Sequence, residues 1–125
     1  MSGNRSAIRE AVKDRLTAAV AYPVFASRDI DATEATEFAN VFFTYGEVVY
    51  EGMQRQNESI LTIAYRNKTQ IDDDFIDLRG NEIQAAIESS PFGDEMSGIL
   101  YTGFEYLDEQ ERDFSGISLR FTVYY

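Results

Sequence analysis

Ile117, Leu119, Phe121, Val123 and Tyr125 alternate without a break with Ser118, Arg120, Thr122 and Tyr124. Successive side chains of an extended strand point to opposite faces, so this period of two predicts a strand with one apolar face and one half-polar face. Such a strand needs an antiparallel partner, and "SGILYTGFEYL" supplies it. The two runs flank the acidic stretch "DEQERD", which predicts a hairpin with a solvated tip.

A second hairpin is expected upstream. "FANVFFTYGEVVYEG" is rich in β-branched and aromatic residues and too apolar for a one-faced helix, which fits a long strand buried on much of both faces. Gly46 within it suggests a bulge or bend. "EGMQRQNE", residues 51–58, reads as a polar connection. "SILTIAYR" then returns with Leu61, Ile63 and Tyr65 on one face and Ile60, Thr62 and Ala64 on the other.

Two helices complete the pattern. Ile8, Ala11, Val12, Leu16, Ala19 and Val20 recur at helical spacing across residues 4–20, and Tyr22-Pro23 ends the run. "VFASR" after it suits a short strand, and "DIDATEATE" a loop. In the second helix, Thr69 with Asp72 resembles a capping box, and the run Asp72-Asp73-Asp74 suits the positive end of the helix dipole. Ile76, Ile83, Ala86 and Ile87 form its core stripe, Gly80 implies a kink or close packing, and Ser89-Ser90-Pro91 stops it. The order of elements predicts an α+β fold, a mainly antiparallel sheet of four to five strands with two α-helices packed on one face. At 125 residues, one domain spanning 1–125 is expected.

Composition narrows the chemistry. The chain has neither Cys nor His, which removes disulfides, thiol chemistry, Ser-His-Asp and Cys-His catalysis and ordinary zinc sites. Carboxylates, Lys and Tyr are left as titratable catalysts, and no cofactor motif is present, so neither an enzyme nor a cofactor is expected. The N-terminal "MSGNRSAIREAVKDRL" lacks the apolar run of a signal peptide, and no apolar run approaches a membrane span, so a soluble protein made in the cytosol is expected. Net charge is −11, with four basic and two acidic side chains in residues 1–20, so the body is strongly acidic. Such a balance disfavours nucleic-acid binding; it gives solubility, or a passage through which DNA moves without sticking.

The Asp72-Asp73-Asp74 run, with Asp77 a turn later, invites a divalent cation, yet it lacks the spacing and glycine of an EF-hand loop, and dipole-favoured residues of a first helical turn are the plainer reading. The turn "LDEQERD" looks wet throughout, whereas acid–base work needs a carboxyl in an apolar pocket. Tyr101, Tyr106, Tyr124 and Tyr125 lack the surrounding basic groove of a base-stacking platform. Arg28, Arg55, Arg66, Arg79, Arg112 and Arg120 are scattered among the acids; on an acidic protein that meets copies of itself they suit bidentate contacts to carboxylates.

The order and spacing of "REAVKDRL", "VFASR", "FANVFFTYGEVVYEG", the acidic start of the second helix and "SGILYTGFEYLDEQERDFSGISLRFTVYY" resemble the tail terminator proteins of long-tailed bacteriophages, the minor tail protein U family of lambda-like phages. The similarity covers nearly the whole chain. It departs from the family in "MQRQNE" and in Ser89-Ser90-Pro91-Phe92-Gly93, which bears on contacts rather than on role. The resemblance implies a hexameric ring in the virion, assembled in the bacterial host cytoplasm. The ring would cap the tail tube, stop its polymerisation, present its other face to the head–tail connector and let DNA pass. Another neck or head–tail completion protein is the alternative within that class; a small-ligand binding domain and an enzyme built on a carboxylate pair are alternatives outside it. On this basis Glu51, Met53, Arg55 and Glu58 are expected at the tail-tube interface, with Arg55 the only cation of a loop from Glu51 to Glu58 that is mobile alone and orders on docking. Arg28, Asp72, Asp74, Arg112 and Arg120 are expected between subunits.

Overall fold

The computed structural model of the chain describes residues 5–28, 34–69, 71–109 and 114–125, with Glu51, Asp108 and Glu109 described by backbone alone. Helix α1 is Arg5–Ala19, followed by β1 (Val24–Phe25), β2 (Glu37–Glu51), β3 (Gln54–Asn67), α2 (Asp73–Glu88), β4 (Gly98–Glu109) and β5 (Phe114–Tyr124). The five strands form one sheet in the order β1-β2-β3-β5-β4, with β1 parallel to β2 and every other pair antiparallel. The fold is α+β, with both helices on one face.

The register shows which sequence periods made the core. Ala39, Val41 and Phe43 of β2, Leu61, Ile63 and Tyr65 of β3, and Ile117, Leu119, Phe121 and Val123 of β5 all face the helices. Against them α1 sets Ile8, Val12 and Leu16, one per turn, and α2 sets Ile76, Ile83, Ala86 and Ile87. Each such fully buried aliphatic side chain contributes about 1.5–3 kcal/mol relative to exposure. Among the described residues the opposite face carries no helix and buries small polar side chains instead. Asn40 there donates to Ser27 O (2.9 Å) and accepts from Arg66 (3.2 Å), while Phe38 packs edge-on against Phe25 and Phe114.

Helix α2 starts one cap later than the sequence suggests. Asp72, not Thr69, is the N-cap: its carboxylate accepts from Phe75 N at 2.9 Å, while Thr69 turns back to Asn67 Oδ1. Asp wins because it satisfies a free helix N–H and also meets the positive end of the dipole. At the other end the Arg15 guanidinium donates to Ile87 O, Ser90 O and Pro91 O and lies 3.6 Å from the Phe92 ring centroid, so α1 caps the C-terminus of α2. Gly80 reflects close packing, since a Cβ there would sit 3.3 Å from Ile117 Cδ1.

Three strand expectations change. The irregularity in β2 lies between Phe43 and Tyr45, not at Gly46, which pairs in register with Ser59 and leaves room for its hydroxyl. "VFASR" pairs only at Val24 and Phe25. Residues 51–58 are strand rather than loop: β2 and β3 remain paired to Glu51↔Gln54, and Gly52-Met53 alone make the turn, Gly52 taking the left-handed φ of +66° that such a tight reversal requires. Of "DIDATEATE", residues 29–33 lie outside the described residues, and so does most of the "DEQERD" tip.

Gly116 is the tightest point of the sheet, because a Cβ there would fall 1.9 Å from Tyr65 O. The backbone of β3 has no room to retreat, being paired on its other side by β2. Gly116→Ala is expected to cost about 3 kcal/mol or more, seen as a lowered urea midpoint; an unchanged midpoint would disprove the contact.

Candidate assembly surfaces

The described residues hold one cluster with the ingredients of acid–base chemistry. Tyr65 donates to Glu37 Oε2 at 2.5 Å and accepts from Asn67 Nδ2 at 3.2 Å, and Arg79 bridges Glu37 (3.2 Å) and Glu82 (3.0 Å) beneath the rings of Tyr22 and Phe75. Burial and the bond to Glu37 push the Tyr65 hydroxyl up to about 12, and burial together with the neighbouring Tyr65 raises Tyr22 further. Both shifts favour the neutral phenol. Every charged group in the cluster is already paired inside the protein, and the cluster ties α2 to β2 and β3, so its geometry is that of a clamp. Tyr22 Oη is buried without a partner, a loss of about 1–3 kcal/mol that the packing around its ring must offset.

The notable surface is an arm. Strand β5 pairs with β3 only as far as Glu58↔Tyr124, with Tyr125 adding two backbone bonds to Asn57. Beyond that point, among the described residues, β2 and β3 pair with each other alone, as a two-stranded ribbon over Val48–Gln56. Val48 and Tyr50 share the face that continues the helix side of the sheet with Arg55, and Tyr45 and Glu47 lie on the reverse, where the Tyr45 hydroxyl donates to Glu47 Oε2 at 3.1 Å. Met53 at the turn is fully exposed, Tyr50 is 69% exposed, and Tyr45 and Val48 are also open to solvent. Apolar side chains held out on a ribbon without a core make it a candidate recognition surface. Of the four expected interface residues, Met53 and Arg55 are exposed near the tip, Glu58 is at the root opposite Glu47, and Glu51 belongs to the ribbon by its backbone.

The five residues expected between subunits are not gathered into one place. Arg28 lies beyond β1, donating to Phe43 O and stacking over Phe42 at 4.8 Å. Asp72 and Asp74 are exposed at the start of α2, with Asp72 engaged as its cap. Arg120 is exposed on the helix-free face of β5, opposite Thr62 and Gly103. Arg112 lies outside the described residues. Among the described residues no three acidic side chains converge as a metal ion would need, and Asp77 instead accepts from the Tyr106 hydroxyl at 2.6 Å. Tyr45, Val48 and Tyr50 are the residues that sequence reasoning misses, because their apolar character reads as burial.

No family model matches the sequence, and comparison with curated proteins finds no relative. Among solved structures, the fold is similar to a chain of the virion of a native gene transfer agent particle, with a TM-score of 0.60 and 14% sequence identity over 94% of this chain and 92% of that one. The likeness is one of fold.

The clamp makes a pH dependence measurable. A tyrosine whose folded pKa lies above its unfolded value of about 10 holds its proton more tightly when folded. Its contribution is therefore complete below pH ~10 and is lost as pH rises towards about 12. The denaturant midpoint should fall across that window, and Tyr65→Phe should lose part of the fall while costing about 1 kcal/mol at neutral pH. A tyrosinate absorbance titration in which every tyrosine ionises together near its ordinary value would contradict the arrangement.

Proposed function

We propose that this chain is a structural component of a phage-like virion, a tail terminator that forms a ring, caps the tail tube, stops its growth and offers its other face to the head–tail connector while DNA passes through. The observation that carries the reading is the β2–β3 ribbon. It is a pre-paired arm whose tip presents Met53 and Tyr50 beside Arg55, and it is suited to reach a surface lying beyond the body of the protein. Glu47 and Glu58 face each other across its root; like charges directly opposite disfavour the ribbon alone, and a cationic group on a partner would relieve them.

Three further features support the reading. The fold extends over 94% of the chain in common with a virion component. The sequence contains no His or Cys, and its strong net negative charge would keep a DNA backbone moving through a ring rather than adhering to it. Both edges of the sheet are open to further contacts: β1 covers only two residues of β2, and β4 has no strand on its outer side among the described residues.

The test is tube capping. Tyr50→Ser with Met53→Asp should leave stability within ~0.5 kcal/mol, since neither side chain touches the core, yet abolish binding to tail-tube ends and let tubes overgrow in an assembly reaction. Arg55→Glu should weaken binding in the same assay. Normal capping by both variants would refute the arm as the docking element, and binding to isolated connectors but never to tubes would instead mark another neck protein.

A further inference from the structure

The sheet has chemically different ends. At the β1–β2 end, the first two turns of α1 and the segment after β1 enclose a recess of about 320 Å³ lined by Arg5, Arg9 and Arg28 beside Phe42. On a chain with 22 acidic and 11 basic side chains, three guanidinium groups around one recess run against composition. Arg15 and Arg79 are consumed by internal bonds, but Arg5 and Arg9 have no ion-pair partner among the described residues. Glu10, the nearest acid along α1, is directed at Lys13 at 3.8 Å. Among the described residues, the lining of the recess is thus cationic and contains no carboxylate.

The opposite end carries the complement. Helix α1 packs over β1 and β2, whereas α2 packs over β5, and the Tyr106–Asp77 bond fastens the start of α2 to the outer strand β4. Asp73 and Asp74 are exposed there, with Asp72 and Asp77 beside them, and their charge is felt at the Tyr106 hydroxyl. Exposed Phe104 and Tyr106 stack edge-on next to them, an apolar border to match Phe42 at the rim of the recess.

We propose that the Arg5–Arg9–Arg28 recess receives the acidic start of α2 from a second copy of this chain, so that copies join head to tail across opposite sheet ends. Two different patches on one chain make a heterologous contact, which closes into a ring when the rotation per step permits. Closure into a ring rests on the function proposed above; the pairwise contact does not. Arginine suits the task because its planar fork binds carboxylates bidentately.

A charge swap tests the contact, read by sedimentation velocity and by imaging of rings on the full chain. Arg5→Glu with Arg9→Glu, and separately Asp73→Lys with Asp74→Lys, should each weaken self-association about 100-fold or more, with circular dichroism confirming that the fold survives. Mixed in equal amounts, the two variants should associate again, because every contact then joins unlike charges. Raising salt should weaken the wild type and the mixture alike. Self-association of either variant at wild-type strength, failure of the mixture, or a wild type that stays monomeric at every concentration would overturn the proposal. So would a recess variant that loses affinity for duplex DNA while its self-association is unchanged, since phosphate would then be the occupant. Restored association without capping of tubes would leave the contact standing and remove the tail-terminator reading.

Discussion

Strand β3 is hydrogen-bonded on both sides from Glu58 to Asn67, and the rest of the molecule is organised by where that double pairing begins and stops. Within it, the side chains of Leu61, Ile63 and Tyr65 have nowhere to go but under the helices, so the core is one continuous layer. Gly116 is the price of bringing β5 so close to the carbonyl of Tyr65. Outside it, β2 and β3 lose their neighbours and become the arm. The rigid body and the protruding element are therefore consequences of the same unequal strand lengths.

The polar interactions follow the same division. Where the sheet is doubly paired, the Tyr65–Glu37–Arg79–Glu82 cluster fastens α2 to two strands, with each half-buried ionised group engaged by a partner. Away from this clamp, Asp73 and Asp74 at the start of α2 and Glu47 and Arg55 along the ribbon are exposed to water. With this separation, substitutions at those exposed positions leave the packing of the core untouched.

Much of the fold was legible in the sequence because two periods dominate it. The alternation from Ile117 to Tyr125 and the spacing of Ile8, Val12 and Leu16 each translate directly into a buried face. The arm was legible only in part. Residues 51–58 are polar, and polar residues read as a loop, yet a ribbon open to solvent on both faces needs no apolar alternation to stay paired. Tyr45, Val48 and Tyr50 read as core because they are apolar, yet the ribbon holds them open to solvent. Arg5 and Arg9 gave no signal at all, since a solvated helix face and one side of a recess have the same pattern until Arg28 is brought beside them by the turn after Phe25.

The irregularity between Phe43 and Tyr45 is small, but it decides which chemistry each side of the arm displays. Up to Phe43 the odd-numbered residues of β2 face the helices; past it the even-numbered ones do, so that Val48 and Tyr50 occupy one side and Tyr45 and Glu47 the other. Pairing of Thr44 with Ile60 in place of this irregularity would slip the register by one and invert the two sides of β2 in the arm with no change in its composition. One residue held out of the ladder at Thr44 therefore governs which side chains the arm can turn towards the helix side and which away from it.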